Sequence, residues 1–144
     1  FITPILEIKI KKGNLGEKIR YFLEPISKDS KNSPQNILNS ILKVKFESKL
    51  NELIYSFKPI LLVRYNREYF LSRISKCRLT VDKNIKFYKI SANKINNNYR
   101  RYKNTLIELK YPSNLENLNL EGISDFPFRF SKHSKYVEGI YMTN

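Results

Sequence analysis

The chain is expected to fold as an α+β domain, an antiparallel β-sheet with flanking helices, and three observations predict it. Short runs at Pro4–Lys12, Glu17–Leu23, Ile60–Leu71, Cys77–Tyr88 and Thr105–Tyr111 alternate their side chains or are rich in β-branched and aromatic residues, as strands do. One central stretch instead carries apolar residues at helical spacing: Ile37, Leu38, Ile41, Leu42, Phe46, Leu50, Leu53, Ile54 and Phe57. The order of strands, helix, strands and helices is that of an α+β domain. With 144 residues there is room for one core, so a single domain over 1–144 is expected.

Each element has a local reason. Gly13-Asn14-Leu15-Gly16 is a turn signal, so the first two runs should pair as a hairpin. Residues two apart on a strand share a face, which sets Glu7, Lys9 and Lys11 against Leu6, Ile8 and Ile10. On the second run Lys18, Arg20 and Phe22 share a face. Ser27–Ser33 reads as a polar loop, and Ser33-Pro34 as an N-cap followed by proline at the first helical position. Pro59 ends the helix, or broken pair of helices, that follows. Ser91–Asn104 is Asn-rich and basic, with Lys94, Arg100, Arg101 and Lys103 and no acid, and is expected to be a loop. Ser113-Asn114-Leu115-Glu116 has the form of a capping box, and a last helix is expected from Ser131 through Met142.

Charge narrows the function. Lys and Arg number 27 against 13 Asp and Glu, a net +14 that favours phosphate-rich partners or anionic membranes. An abundance of Lys, Asn and Ile is a competing, purely compositional source of that charge. Cys77 is the sole cysteine, so no disulfide forms within the chain and a reducing, cytoplasmic setting is expected. His133 is the sole histidine, too little for a metal site or a triad. No run approaches the ~20 apolar residues of a membrane span, and no signal peptide is visible. The chain opens on Phe1, almost directly into a strand, so an N-terminal part is expected to be missing.

The charged strand faces are the candidate site. Arg67 shares a face with Val63, Tyr65 and Tyr69; Arg78 shares one with Thr80 and Asp82; Glu108 shares one with Lys110. If these faces curve around one lumen, Lys9, Lys18, Arg20, Arg67, Arg78 and Lys110 converge there. Such cations repel unless a polyanion sits among them. Arg offers phosphate a planar fork of donors and Lys a compact point charge. A carboxylate in that company, Glu108, fits a divalent cation bridging it to phosphate oxygens. The competing reading is a sheet with one solvated face and surface pairs such as Glu7–Lys9. Spacing alone leaves both open.

Six segments in one order extend this. They are Leu6-Glu7-Ile8-Lys9, Gly16-Glu17-Lys18-Ile19-Arg20, Val63-Arg64-Tyr65-Asn66-Arg67, Arg78-Leu79-Thr80-Val81-Asp82, Ile107-Glu108-Leu109-Lys110, and Phe130-Ser131-Lys132 with Ser134-Lys135-Tyr136-Val137-Glu138-Gly139-Ile140. Together they resemble the polyphosphate polymerase domain of the vacuolar transporter chaperone family, which has the triphosphate tunnel fold. The resemblance implies a β-barrel tunnel that binds ATP with a divalent metal, manganese or magnesium. It passes the γ-phosphoryl group to a growing polyphosphate chain, without a protein nucleophile. By motif position Lys9, Lys18, Arg67, Arg78 and Lys110 are the phosphate-binding residues, with Arg67, Arg78 and Lys110 at the chemistry and Arg20 and Tyr65 in support. Glu108 is the metal ligand, and Lys135 the basic residue of a C-terminal helix that closes over the tunnel. The family's first strands, with a basic opening motif and an alternating pair of Arg, have no counterpart here, so an N-terminally truncated, incomplete barrel is expected. The partners implied are ATP and polyphosphate, with no specific nucleic acid. Any membrane attachment would come through another domain, placing this one on the cytosolic side. The alternatives are a non-catalytic module for polyphosphate or nucleic acid, and a triphosphate hydrolase of the same fold.

Overall fold

A computed structural model of the chain describes residues 3–12, 15–25, 36, 39, 41–46, 48–72, 77–92, 94–110, 128–129 and 131–144. The expected turn at 13–14, the polar loop and Ser33-Pro34 helix start, and the capping box at 113–116 lie outside them. Two compact units are present, Phe1–Ile60 with Ile90–Asn96, and Leu61–Lys89 with Asn97–Asn144.

In the first unit β1 (Ile5–Lys12) and β2 (Leu15–Phe22) form the expected antiparallel hairpin, with Glu7 opposite Arg20 and Lys9 opposite Lys18. The Leu23 N–H donates to the Pro4 carbonyl at 3.0 Å and closes its open end. The apolar face carries Leu6, Ile8, Ile19 and Tyr21, and the Tyr21 ring meets Phe46 edge-on at 4.9 Å. The helical stretch is the broken version. Described positions 36, 39, 41 and 42 are helical, Lys43 and Val44 turn, and α1 runs from Ser48 to Ser56 before Pro59. Leu23 and Ile54 are buried.

The second unit is built on β4 (Arg78–Ser91) up to Lys89, part of the longest strand of a four-stranded sheet. β3 (Leu61–Leu71) pairs antiparallel along one edge of it. β5 (Lys94–Arg101) and β6 (Leu106–Lys110) both pair with β4 and share its other edge. β5 corrects an expectation, because most of Ser91–Asn104 is strand. Asn has low strand propensity and nearly every β5 side chain is exposed, so no alternation marks it. The β4 ladder beside it supplies the hydrogen bonds that its sequence does not advertise. Ala92, at φ 47°, helps reverse the chain between the two strands.

A bulge then decides which side chains share a face. Between the pairs Arg64↔Lys86 and Asn66↔Lys83, β4 carries one residue more than β3, and Asn84 there adopts φ 53°. The extra residue switches the parity of β4. Thr80 and Asp82 before the bulge therefore lie on the same face as Ile85 and Phe87 after it, and all four are buried. α2 (Lys135–Thr143) docks over the apolar end of this face. A Cβ on Gly139 would lie 2.6 Å from Leu61 and 2.7 Å from Phe87, so the approach requires glycine. α2 begins at Lys135, not at Ser131, because Ser134 is the cap: its hydroxyl accepts from the Val137 N–H at 3.4 Å.

These are antiparallel sheets with few helices, as an α+β chain requires. The described strands form two sheets, of two and four strands, and no closed barrel exists among them. No helix among the described residues is long and apolar enough to cross a membrane.

Candidate functional site

The register of the larger sheet assembles the candidate residues in rows. Side chains directly opposite one another in antiparallel strands project to the same side. Leu71, Arg78 and Lys110 form one row across β3, β4 and β6; Tyr69, Thr80 and Glu108 form the next; Arg67, Asp82 and Leu106 form the third. Arg67, Arg78, Glu108 and Lys110 thus occupy one face, which turns apolar beyond the bulge where α2 covers it.

The centre of the third row is Asp82, 1% exposed. The Arg67 fork donates to it twice, Nε to Oδ1 at 2.5 Å and Nη2 to Oδ2 at 2.7 Å. Lys135, on the first turn of α2, places its Nζ 2.7 Å from the same Oδ2. Beneath both cations lies the Tyr65 ring, 4.9 Å from the Arg67 guanidinium carbon and 5.3 Å from the Lys135 Nζ. Burial drives the Asp82 carboxyl up, but the hydrogen bonds from Arg67 and Lys135 outweigh burial and hold it below the usual aspartate range. Arg67 is raised by its Asp82 hydrogen bonds and stays charged.

The other groups on the face are more open. Glu108 and Lys110 pair at 3.1 Å with both side chains half-exposed. Arg78 is exposed and has no carboxylate within ion-pair reach among the described residues. Among the described residues, the buried Thr80 hydroxyl has no hydrogen-bond partner. In the first unit Glu7 is the hub of the hairpin's polar face, 3.0 Å from Arg20, 3.5 Å from Lys18 and 3.7 Å from Lys9. The Arg20 hydrogen bond leads in lowering the Glu7 pKa.

Lys9, Lys18 and Arg20 therefore cluster in one unit, and Arg67, Arg78, Glu108, Lys110 and Lys135 share a face in the other. The repulsion expected among them is corrected by interleaved acids: Glu7, Asp82 and Glu108 each hold one or more of the cations. Asp82 and Glu7 were missed as organisers. The signal for Asp82 was legible, a lone acid directly after the strand-like run Leu79-Thr80-Val81. His133 is exposed, its ring 5.5 Å from that of Tyr102.

The donor set also bears on a metal. Among the described residues no group of three or more His, Cys, Asp or Glu comes together. One accessible carboxylate does not cage a cation, but it suits a hard divalent ion that takes most of its oxygens from phosphate and water.

A protein-family model described as the VTC domain matches residues 3–144. No curated protein matches the chain, and no solved structure does. With all but its first two residues matched, the chain belongs to the VTC domain family, which ties it to polyphosphate.

Proposed function

We propose that the chain is a polyphosphate polymerase-type domain that binds the triphosphate of ATP on the β3–β4–β6 face and passes the γ-phosphoryl group to a polyphosphate chain. The single observation that carries this is the register, which lines Arg67, Arg78, Glu108 and Lys110 on one face with Lys135 reaching it from α2. The first and third rows lie four residues apart, roughly 13 Å along the strands, longer than a single phosphate and suited to a phosphate chain. The P–O bond to ADP breaks as a terminal oxygen of the acceptor chain takes the phosphoryl group. Positioning and charge neutralisation supply the catalysis, which Arg and Lys provide without a covalent intermediate.

Glu108 would hold the divalent cation, manganese or magnesium, and would release Lys110 from its 3.1 Å ion pair for phosphate. When bound, that ion offsets the negative charge of the phosphate oxygens. Lys9, Lys18 and Arg20 are proposed as phosphate-binding residues on the hairpin of the first unit. The place of action proposed is the cytosol, where ATP is abundant.

The test is incubation with ATP, manganese and a pyrophosphate primer, with products resolved by length on a gel, beside Glu108→Gln. A polymer ladder lost in the variant supports polymerisation. Phosphate release without polymer assigns hydrolysis instead. Binding of polyphosphate without turnover or metal dependence leaves the non-catalytic module.

A further inference from the structure

Among the described residues Asp82 is the most buried charged group of the second unit, and nothing in the proposed chemistry uses it directly. Its geometry is more specific than a surface ion pair. Arg67 Nη2 and Lys135 Nζ each lie 2.7 Å from the same oxygen, Oδ2, so the two cationic nitrogens are separated by no more than twice that distance. Two like charges that close repel, and here one carboxylate and one aromatic ring hold both. Oδ1 takes the Arg67 Nε, which fixes the plane of the guanidinium as well as its place. Tyr65 lies against both cations and limits their movement. Cationic nitrogens held no further apart than twice 2.7 Å can each donate to an oxygen of one phosphoryl group. Arg67 belongs to a strand and Lys135 to a helix, and Asp82 is the charged group that bonds to both and ties their spacing.

We infer that Asp82 is a positioning residue that makes Arg67 and Lys135 a preassembled two-cation seat for a single phosphoryl group. The inference rests on the reading of this face as phosphate-binding. It separates sharply from plain electrostatics. Neutralising an acid inside a polyanion site should tighten binding if charge alone counts. If Asp82 acts by orientation, the same change weakens binding, because two unanchored cations must be ordered afresh for each ligand.

The experiment is calorimetric titration of the full chain with inorganic tripolyphosphate, without metal, for wild type and Asp82→Asn, with folding checked by circular dichroism. At least tenfold weaker binding by D82N is expected. Equal or tighter binding by folded D82N overturns the positioning role while leaving the phosphate-binding face intact. No binding by wild type removes the reading of the face itself, and this inference with it. Should D82N fail to fold, a cycle of Arg67→Met, Lys135→Met and the double variant decides. A shared seat predicts that the double loses little more affinity than the worse single, whereas strictly additive losses overturn it.

Discussion

Asp82 and Thr80 sit two residues apart on β4 and both are buried, yet Asp82 is held by Arg67 and Lys135 while the Thr80 hydroxyl has no hydrogen-bond partner among the described residues. Their responses to substitution should therefore differ in sign. A group whose pKa is depressed on folding stabilises the fold fully above its unfolded value, about 3.9 for Asp, and loses that contribution as pH falls through its folded value. Burial raises Asp82 and the Arg67 and Lys135 hydrogen bonds lower it further, so its contribution disappears on the acid side of pH ~4. Melting temperature followed against pH should accordingly fall more steeply below pH ~4 in wild type than in Asp82→Asn. Thr80→Val removes a buried hydroxyl that bonds to none of the described residues and keeps the side-chain shape. Its expected effect on the ligand-free protein is neutral to stabilising by about 1 kcal/mol, read from chemical denaturation. A clear loss of stability in T80V would show that the hydroxyl has a partner.

At the scale of elements, the docking of α2 is the most sharply determined contact. A Cβ at Gly139 would fall against Leu61 and the fully buried Phe87, so a methyl group there has no room. Gly139→Ala gains helix propensity but must displace the Phe87 ring, and overpacking dominates such contests. It is expected to destabilise by about 1–3 kcal/mol, measured by denaturant midpoint. Because Lys135 lies one helical turn earlier, the same substitution should also weaken tripolyphosphate binding. The bulge at Asn84 is the other decisive element. A strict two-residue alternation would have put Asp82 and Phe87 on opposite faces, and with them the ionic and apolar halves of the surface under α2.

Over the whole molecule, a net +14 should make polyanion binding depend steeply on salt, since exposed charges are screened within about 8 Å at physiological ionic strength. Tripolyphosphate affinity is expected to drop at least tenfold between low and high salt. The Asp82-held pair, being enclosed, should be screened less than exposed Arg78 and Lys110. The slope of affinity against salt should thus fall more in Arg78→Gln than in Lys135→Gln, which titrations at several salt concentrations would show.

The sequence alone carried the strand faces. Period-two alternation follows from backbone geometry, so Arg67 with Tyr65 and Tyr69, Arg78 with Asp82, and Glu108 with Lys110 could be grouped before any fold was known. The antiparallel α+β class and the broken helix before Pro59 were equally legible, being local in origin. What tertiary structure decided was which faces coincide. Register across β3, β4 and β6, a parity change at one bulge, and an edge strand rich in asparagine depend on hydrogen bonds between distant segments, and no local pattern records them. The pairing of Arg67 and Lys135 through Asp82 is of the same kind. A buried carboxylate selects its partners by proximity and desolvation, and both arise only once helix and sheet have packed.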